Sequence, residues 1–183
     1  MIRVRRLLLL AFLSAGCHGQ VLAQKTLGRG GITAFFRDTA LVTVSRFDAR
    51  DFDLRIPAQR DSLRATVKRE RELWRAQAPK NYRFLLQVGC FCPGTRGWLL
   101  IEVRSGQPLK AWDRAGKAVS LTDWNTLSID QVFDNLERSA GRPGTAKVGF
   151  DPRWHFPTYV YTAALPGPDM WGVLEARGLR PGP

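Results

Sequence analysis

The chain has 183 residues, of which 44% are hydrophobic and 10% aromatic, and this composition excludes a disordered chain and suits one buried core. Its formal net charge of +12 arises from 28 Lys and Arg residues against 16 Asp and Glu residues. A charge of this size favours contact with anionic surfaces and carries no information about the fold.

The N-terminal segment MIRVRRLLLLAFLSAGCHGQVLAQ has the features of an export signal. Arg3, Arg5 and Arg6 form a positive region, and an apolar run over residues 7–13 follows it. This run is too short to span a bilayer, which needs about 20 residues, so it predicts a signal peptide rather than a membrane anchor. We therefore expect an extracytoplasmic protein, periplasmic or secreted, with no nucleic-acid partner.

Two cleavage positions compete in this segment. The residues VLA predict general cleavage, which would remove residues 1–23 and leave Gln24 as the N-terminus. The residues LSAGC resemble a lipobox, although Ser14 stands where Leu is usual, and they would make residues 1–16 a lipoprotein signal. In that alternative Cys17 is lipidated, and only then is the protein anchored at the membrane.

The segment after the signal is the least regular part of the chain. Residues 24–56 begin with QKTLGRGG, which predicts a linker, and continue with ITAFFRDTALVTVSRF, which predicts a possible extra strand or hairpin. A single α+β domain is expected over residues 57–183.

A first helix is predicted over residues 60–78, because Pro79 ends the helical pattern. Leu63, Val67 and Trp74 share its apolar face. Five cations fall within a sector of about 80° beside that face, and we call them the basic stripe: Arg60, Arg64, Lys68, Arg71 and Arg75. The basic stripe is a candidate binding surface for an anionic partner, and the alternative is a solvated helix face that nearby acids partly offset.

The residues LSIDQVF predict the start of a second helix. Ser128 is the expected N-cap, and Gln131 completes a capping box. An apolar stripe follows at the spacing of a core-facing helix: Ile129, Val132, Phe133 and Leu136. Gly141 is expected to end this helix in the left-handed C′ conformation.

Each helix is followed by three predicted strands. They cover residues 82–90, 98–104 and 109–113 after the first helix, and residues 145–150, 158–163 and 171–177 after the second. This order predicts an α+β fold, an antiparallel sheet with two helices on one face, in which α-β-β-β occurs twice. The other face could carry Trp98, Trp112 and either Tyr159 or Val160, or it could be covered by residues 30–56.

In the stretch VGCFCPG, Cys90 and Cys92 lie one residue apart at the end of a predicted strand. Alternate side chains share a face of a strand, so both thiols are expected to point towards the core with Phe84. Residues two apart in a regular strand lie about 6.6 Å apart, whereas a disulfide prefers a Cα–Cα distance of roughly 5.5–6 Å. A Cys90–Cys92 disulfide therefore needs a local bend. Two buried thiols, a redox pair or a pair of metal ligands are the alternatives.

The combination of WRAQAPKNYRF, CFC, LSIDQVFDNL and VGFDPRWHFPTYVY resembles the bacterial domain-of-unknown-function family 6174, over roughly residues 58–177. The matching positions are Trp74, Tyr82, Cys90, Cys92, Ile129, Asp130, Asp151, Phe156 and Pro157. The resemblance implies an exported protein or lipoprotein and brings no activity with it. A glycine commonly stands before the aromatic–proline pair, whereas this chain has His155, which disfavours a tight turn there.

The sequence contains few residues in patterns that are typical of a catalytic site. Cys90, Cys92 and His155 are the obvious catalytic set, and an apolar strand face disfavours the thiolate that such a site needs. Zinc prefers four ligands, and this set holds three. No spacing singles out a carboxylate pair among Asp123, Asp130, Asp134, Asp151 and Asp169.

We therefore expect a non-enzymatic binding or interaction module for a protein or an anionic envelope component, with no cofactor and no metal. The alternatives are a thiol redox or metal-handling module that uses Cys90 and Cys92, or a hydrolase.

Export can be tested by intact-mass spectrometry of the protein purified from its native host. The expected mass is that of a chain starting at Gln24, or that of a chain starting at a lipidated Cys17. The same spectrum should be lighter than the fully reduced chain by two hydrogen atoms if Cys90 and Cys92 are bridged. A chain that retains Met1 in the soluble cytosolic fraction would contradict export.

Overall fold

The computed structural model describes residues 27–39, 48–90, 97–122, 125–164 and 171–182. The predicted signal, Cys17 and Cys92 lie outside the described residues. The helices are α1 (Arg29–Thr39), α2 (Pro57–Gln77) and α3 (Ile129–Ser139). The strands are β1 (Arg50–Asp53), β2 (Asn81–Cys90), β3 (Leu99–Arg104), β4 (Gln107–Trp112), β5 (Ala118–Val119), β6 (Gly144–Phe150), β7 (Pro157–Ala164) and β8 (Trp171–Pro181).

The strands form one eight-stranded antiparallel sheet in the order β1-β6-β7-β8-β2-β3-β4-β5. The two predicted meanders, β2-β3-β4 and β6-β7-β8, are present and meet where β2 pairs with β8. Each follows a helix, so the predicted α-β-β-β order occurs twice, with β1 and β5 added at the edges of the sheet. The α+β fold is confirmed.

The main core lies between the sheet and the helices α2 and α3. Leu63, Val67 and Trp74 of α2 are fully buried, as their shared face predicted. The Trp74 ring meets the Tyr82 ring edge-on, with 5.5 Å between the ring centroids. Alternation along β2 places Tyr82, Phe84 and then Leu86 in the same core.

The start of α3 is fixed by hydrogen bonds at both ends of its first turn. The predicted capping box is confirmed: the backbone N–H of Gln131 donates to the Ser128 hydroxyl, and the Gln131 side chain accepts from the Ser128 N–H. The Ile129 N–H donates to the Tyr82 hydroxyl, with 3.1 Å between N and O. This bond satisfies a helix N-terminal donor that would otherwise be buried without a partner.

The prediction for Gly141 is wrong, because this glycine is not among the residues with positive φ. After Ser139 the chain continues through Ala140 in the right-handed helical region, with φ −63°. The N–H groups of Gly141 and Arg142 then donate to the carbonyls of Arg138 and Ser139. These short-range bonds close the helix end without a left-handed residue.

The prediction of a linker with an extra strand or hairpin over residues 24–56 is wrong in part. In the stretch expected to form the strand or hairpin, residues up to Thr39 belong to the helix α1, and residues 40–47 lie outside the described residues; the strand β1 follows at Arg50–Asp53. Ile32, Phe35 and Phe36 of α1 have the i, i+3, i+4 spacing of one helix face and are buried. The burial of that face against the sheet outweighs the weak helix propensity of glycine and aromatic residues in the segment.

Helix α1 covers part of the second face of the sheet. Its apolar face packs against three residues of neighbouring strands, Leu85 of β2, Leu100 of β3 and Trp112 of β4. The partly buried Trp98 joins this cluster, and the Arg177 guanidinium lies 4.0 Å from the Trp98 ring centroid. The interpretation in which residues 30–56 cover the second face is therefore correct for the half formed by β2, β3 and β4. Val160 belongs to the main core, so Tyr159 rather than Val160 lies on the second face.

We expect Tyr82→Phe to lower the free energy of unfolding by about 1–2 kcal/mol, because the Ile129 N–H loses its buried acceptor. Burial also raises the pKa of Tyr82, since the phenolate would be held away from water. The wild type should therefore lose stability as the pH rises past about 10, where the unfolded chain ionises, and the variant should lack that loss. Urea denaturation at pH 7 and pH 10.5 measures both effects. Tyr161→Phe, on the other face of the sheet, is the control, and an equal loss in both variants would contradict the role of Tyr82.

Candidate functional site

A groove runs between α3 and the end of the sheet where β2 ends and β8 begins. Its first depression has a volume of about 160 Å³. Its walls are mainly apolar and come from α3, β7, β8 and the end of β2, including Val88, Val132, Leu136, Val160 and Leu174. We call this depression and its continuation described below the α3 groove.

One glycine lowers the floor of the α3 groove. Gly172 of β8 lies opposite Cys90 and Thr162 and shares the core face of the sheet with Leu174. A Cβ atom added at Gly172 would have as its nearest neighbours the Gly89 carbonyl oxygen at 3.9 Å and the Thr162 hydroxyl at 4.0 Å. These are ordinary contacts, so the backbone at this position leaves open space that a side chain could fill.

A second depression of about 190 Å³ continues the groove over β7 towards β6. Ser139 and Thr162 line both depressions and form their common wall. Arg142 and Trp171 also line this second depression. The groove therefore joins an apolar depression under α3 to a depression that carries a cation.

No acidic residue lines either depression among the residues that the structure describes. The acids of α3 point elsewhere, because Asp134 and Glu137 both pair with Arg71 of α2. The Asn135 carboxamide lines the groove and accepts a hydrogen bond from Arg138. Helix α3 thus presents its acids to α2 and an uncharged or basic side to the groove.

The cations of the basic stripe do not form one open surface. The Arg71 side chain is only 12% exposed, with contacts of 2.6 Å to Asp134 and 2.8 Å to Glu137. Arg75 lies 4.0 Å from Asp130, and Arg64 lies 3.6 Å from Asp61. The stripe therefore faces acids of α3 along part of its length.

Arg71 ties α2 to α3 by charge and by packing. Burial lowers the pKa of Arg71, but its hydrogen bonds to Glu137 and Asp134 outweigh burial and raise the pKa above its ordinary value. The guanidinium also lies 5.8 Å from the centroid of the Phe133 ring. The sequence pattern missed this role because a helical wheel shows only the neighbours on the same helix.

A second polar pair, Glu70 and His155, joins α2 to the turn before β7. Glu70 follows Val67 and precedes Trp74 at the spacing of the apolar face of α2, and it is buried. Its carboxylate lies 2.9 Å from Nδ1 of His155, and Arg69 donates to its other oxygen. An acid at a core-facing helix position is the signal that identifies this site.

The tight turn at His155 forms although this chain lacks the usual glycine. His155 adopts a left-handed φ of 60°, which costs a non-glycine residue energy. Asp151 stabilises the turn, because its carboxylate accepts from the N–H groups of Arg153 and Trp154. The contact with Glu70 joins this turn to α2, so the pair is a structural tie between two parts of the core.

Cys90 ends β2 and lines the α3 groove on the core side of the sheet, the face predicted for it. Cys17 and Cys92, the other cysteines of the chain, lie outside the described residues, so the Cys90–Cys92 pairing stays a prediction. Among described residues, no group of three or more His, Cys, Asp or Glu side chains has an arrangement that could hold a metal ion.

Comparison with known proteins identifies a matching family. The model of a family described as "Family of unknown function (DUF6174)" matches residues 66–163, just over half of the chain, including all of α3. No curated protein and no solved structure matches the chain. Within the described ranges, no helix combines the length and the apolar character needed to cross a membrane.

We expect Arg71→Gln to lower the free energy of unfolding by about 1–2 kcal/mol, because two partly buried carboxylates lose their partner. Arg64→Gln is the matched control on the same helix. The Arg64 side chain is 53% exposed, so we expect a change below about 0.5 kcal/mol. Urea denaturation of both variants measures the difference, and equal stabilities would show that Arg71 does not bind α2 to α3.

Proposed function

The chain belongs to the family of unknown function DUF6174, and from this premise we propose that it is an exported, non-enzymatic binding domain that holds an apolar ligand in the α3 groove. The observation that carries this proposal is the groove itself. It combines apolar walls with a few convergent polar groups, Asn135, Ser139 and Thr162. That combination is typical of small-molecule binding sites.

The placement of the ionisable residues supports binding rather than catalysis. Glu70 and His155 pair with each other, and Asp134 and Glu137 pair with Arg71. No described residue of these pairs lines the α3 groove. A general acid or base must lie within hydrogen-bond reach of the reacting group, and these pairs are positioned to hold helices and turns together.

Export and the cysteine pair fit the same proposal. Cys90 lines the α3 groove at the end of β2, so a bridge to Cys92 would fix the chain at the rim of the groove. Such a bridge closes a very small loop and would act through local geometry rather than through the entropy of the unfolded chain. An oxidising compartment outside the cytoplasm would maintain it.

An anionic envelope surface has weaker support as the partner. Arg64, Arg71 and Arg75 of the basic stripe lie beside acids of the same domain. A paired cation contributes less to the attraction of a distant anionic surface than an unpaired one.

The test is binding of the uncharged fluorescent dye N-phenyl-1-naphthylamine, with Gly172→Val as the variant that fills the groove. We expect one dye molecule per wild-type chain and at least about 10-fold weaker binding by Gly172→Val, because its side chain would occupy the floor. Ala118→Val, on the exposed edge strand β5, is the control and should bind as the wild type does. Circular dichroism checks that both variants are folded. Equal binding by the wild type and Gly172→Val would contradict the proposal.

A further inference from the structure

We infer that the ligand of the α3 groove is an amphiphile with an unbranched apolar chain and one free carboxylate. The inference rests on the proposed function and adds the chemistry of the ligand. In this arrangement the apolar chain lies against Val132 and Leu136 of α3, and the carboxylate reaches Arg142.

The charge of the groove sets the orientation of the ligand. The end under α3 is lined by no charged side chain among the described residues, so it favours an apolar group. The second depression carries Arg142, which is exposed and makes no ion pair with any residue that the structure describes. A guanidinium binds a carboxylate through two parallel hydrogen bonds, and a single cation matches a single negative charge.

The acids of α3 do not compete for this cation. Asp134 and Glu137 lie on the side of α3 that faces α2, where Arg71 holds them at 2.6 and 2.8 Å. Arg138, one turn before Arg142, donates to Asn135 within the helix. Arg142 is thus the cation of this helix end that lines the groove and is available to an incoming anion.

The dimensions of the groove set the shape of the ligand. The depressions have volumes of about 160 and 190 Å³, and each is below the roughly 300 Å³ at which pockets for drug-sized ligands begin. Only a ligand that crosses the common wall at Ser139 and Thr162 uses both. A linear chain can cross this wall, because the side chains of Ser139 and Thr162 are small.

The test is displacement of N-phenyl-1-naphthylamine from the full chain by three probes that each carry a ten-carbon chain. They are decanoate, its neutral methyl ester and the cation decyltrimethylammonium. We expect decanoate to displace the dye at about 10-fold lower concentration than the methyl ester, with the cation weakest. The ester also separates a free acid from an acyl chain that is esterified in a lipid.

Two variants locate the head group. Arg142→Gln should lower the affinity for decanoate by about 10-fold and change the affinity for the methyl ester by less than about twofold, because only the free carboxylate pairs with the guanidinium. Arg114→Gln, an exposed arginine between β4 and β5, is the matched control and should leave both affinities unchanged. Equal displacement by decanoate and the cation, or no effect of Arg142→Gln on decanoate, would overturn the inference while dye binding still supports the proposed function. If the dye does not bind the wild type, both the proposed function and the inference about the ligand are contradicted.

Discussion

The pairing of β2 with β8 is the contact on which the rest of the sheet depends, because it joins the two meanders. It runs from Tyr82 opposite Pro181 to Cys90 opposite Gly172 and brings the last described strand to the centre of the sheet. Strand β2 is buried on both faces, by α2 and α3 on one side and by α1 at Leu85 on the other. Because the paired strands are far apart in sequence, the core is complete only when the C-terminal strand is in place.

Helix α3 contacts α2 on one side and lines the α3 groove on the other. Its N-terminus is held by the Ser128 cap and the Tyr82 hydroxyl, which together fix where the helix begins over the sheet. From that point the helical period places Asp134 and Glu137 towards Arg71, and Asn135 towards the α3 groove. The charge pairing that holds α3 to α2 is thus also what keeps acids out of the groove.

Most of the fold could be predicted from the sequence, since α2, α3 and both meanders have clear apolar periodicity and end signals. Helix α1 could not, because its stability comes from packing on β2, β3 and β4 rather than from its own residues. The candidate site could not be predicted either, because residues far apart in the sequence line one groove, among them Val88, Leu136 and Gly172. Arg71 was identified as a cation of α2, but its partners lie on another helix. Only Glu70 carried a local signal, an acid at a core position.

The two strands at the edges of the sheet limit the aggregation of the domain at high concentration. Strand β5 has two residues, and β1 has four, three of which are charged: Arg50, Asp51 and Asp53. Short and charged edges offer few open backbone groups to a strand of another molecule. The order of the strands therefore places the long, apolar strands inside the sheet, where they cannot seed the intermolecular β-pairing that leads to aggregation.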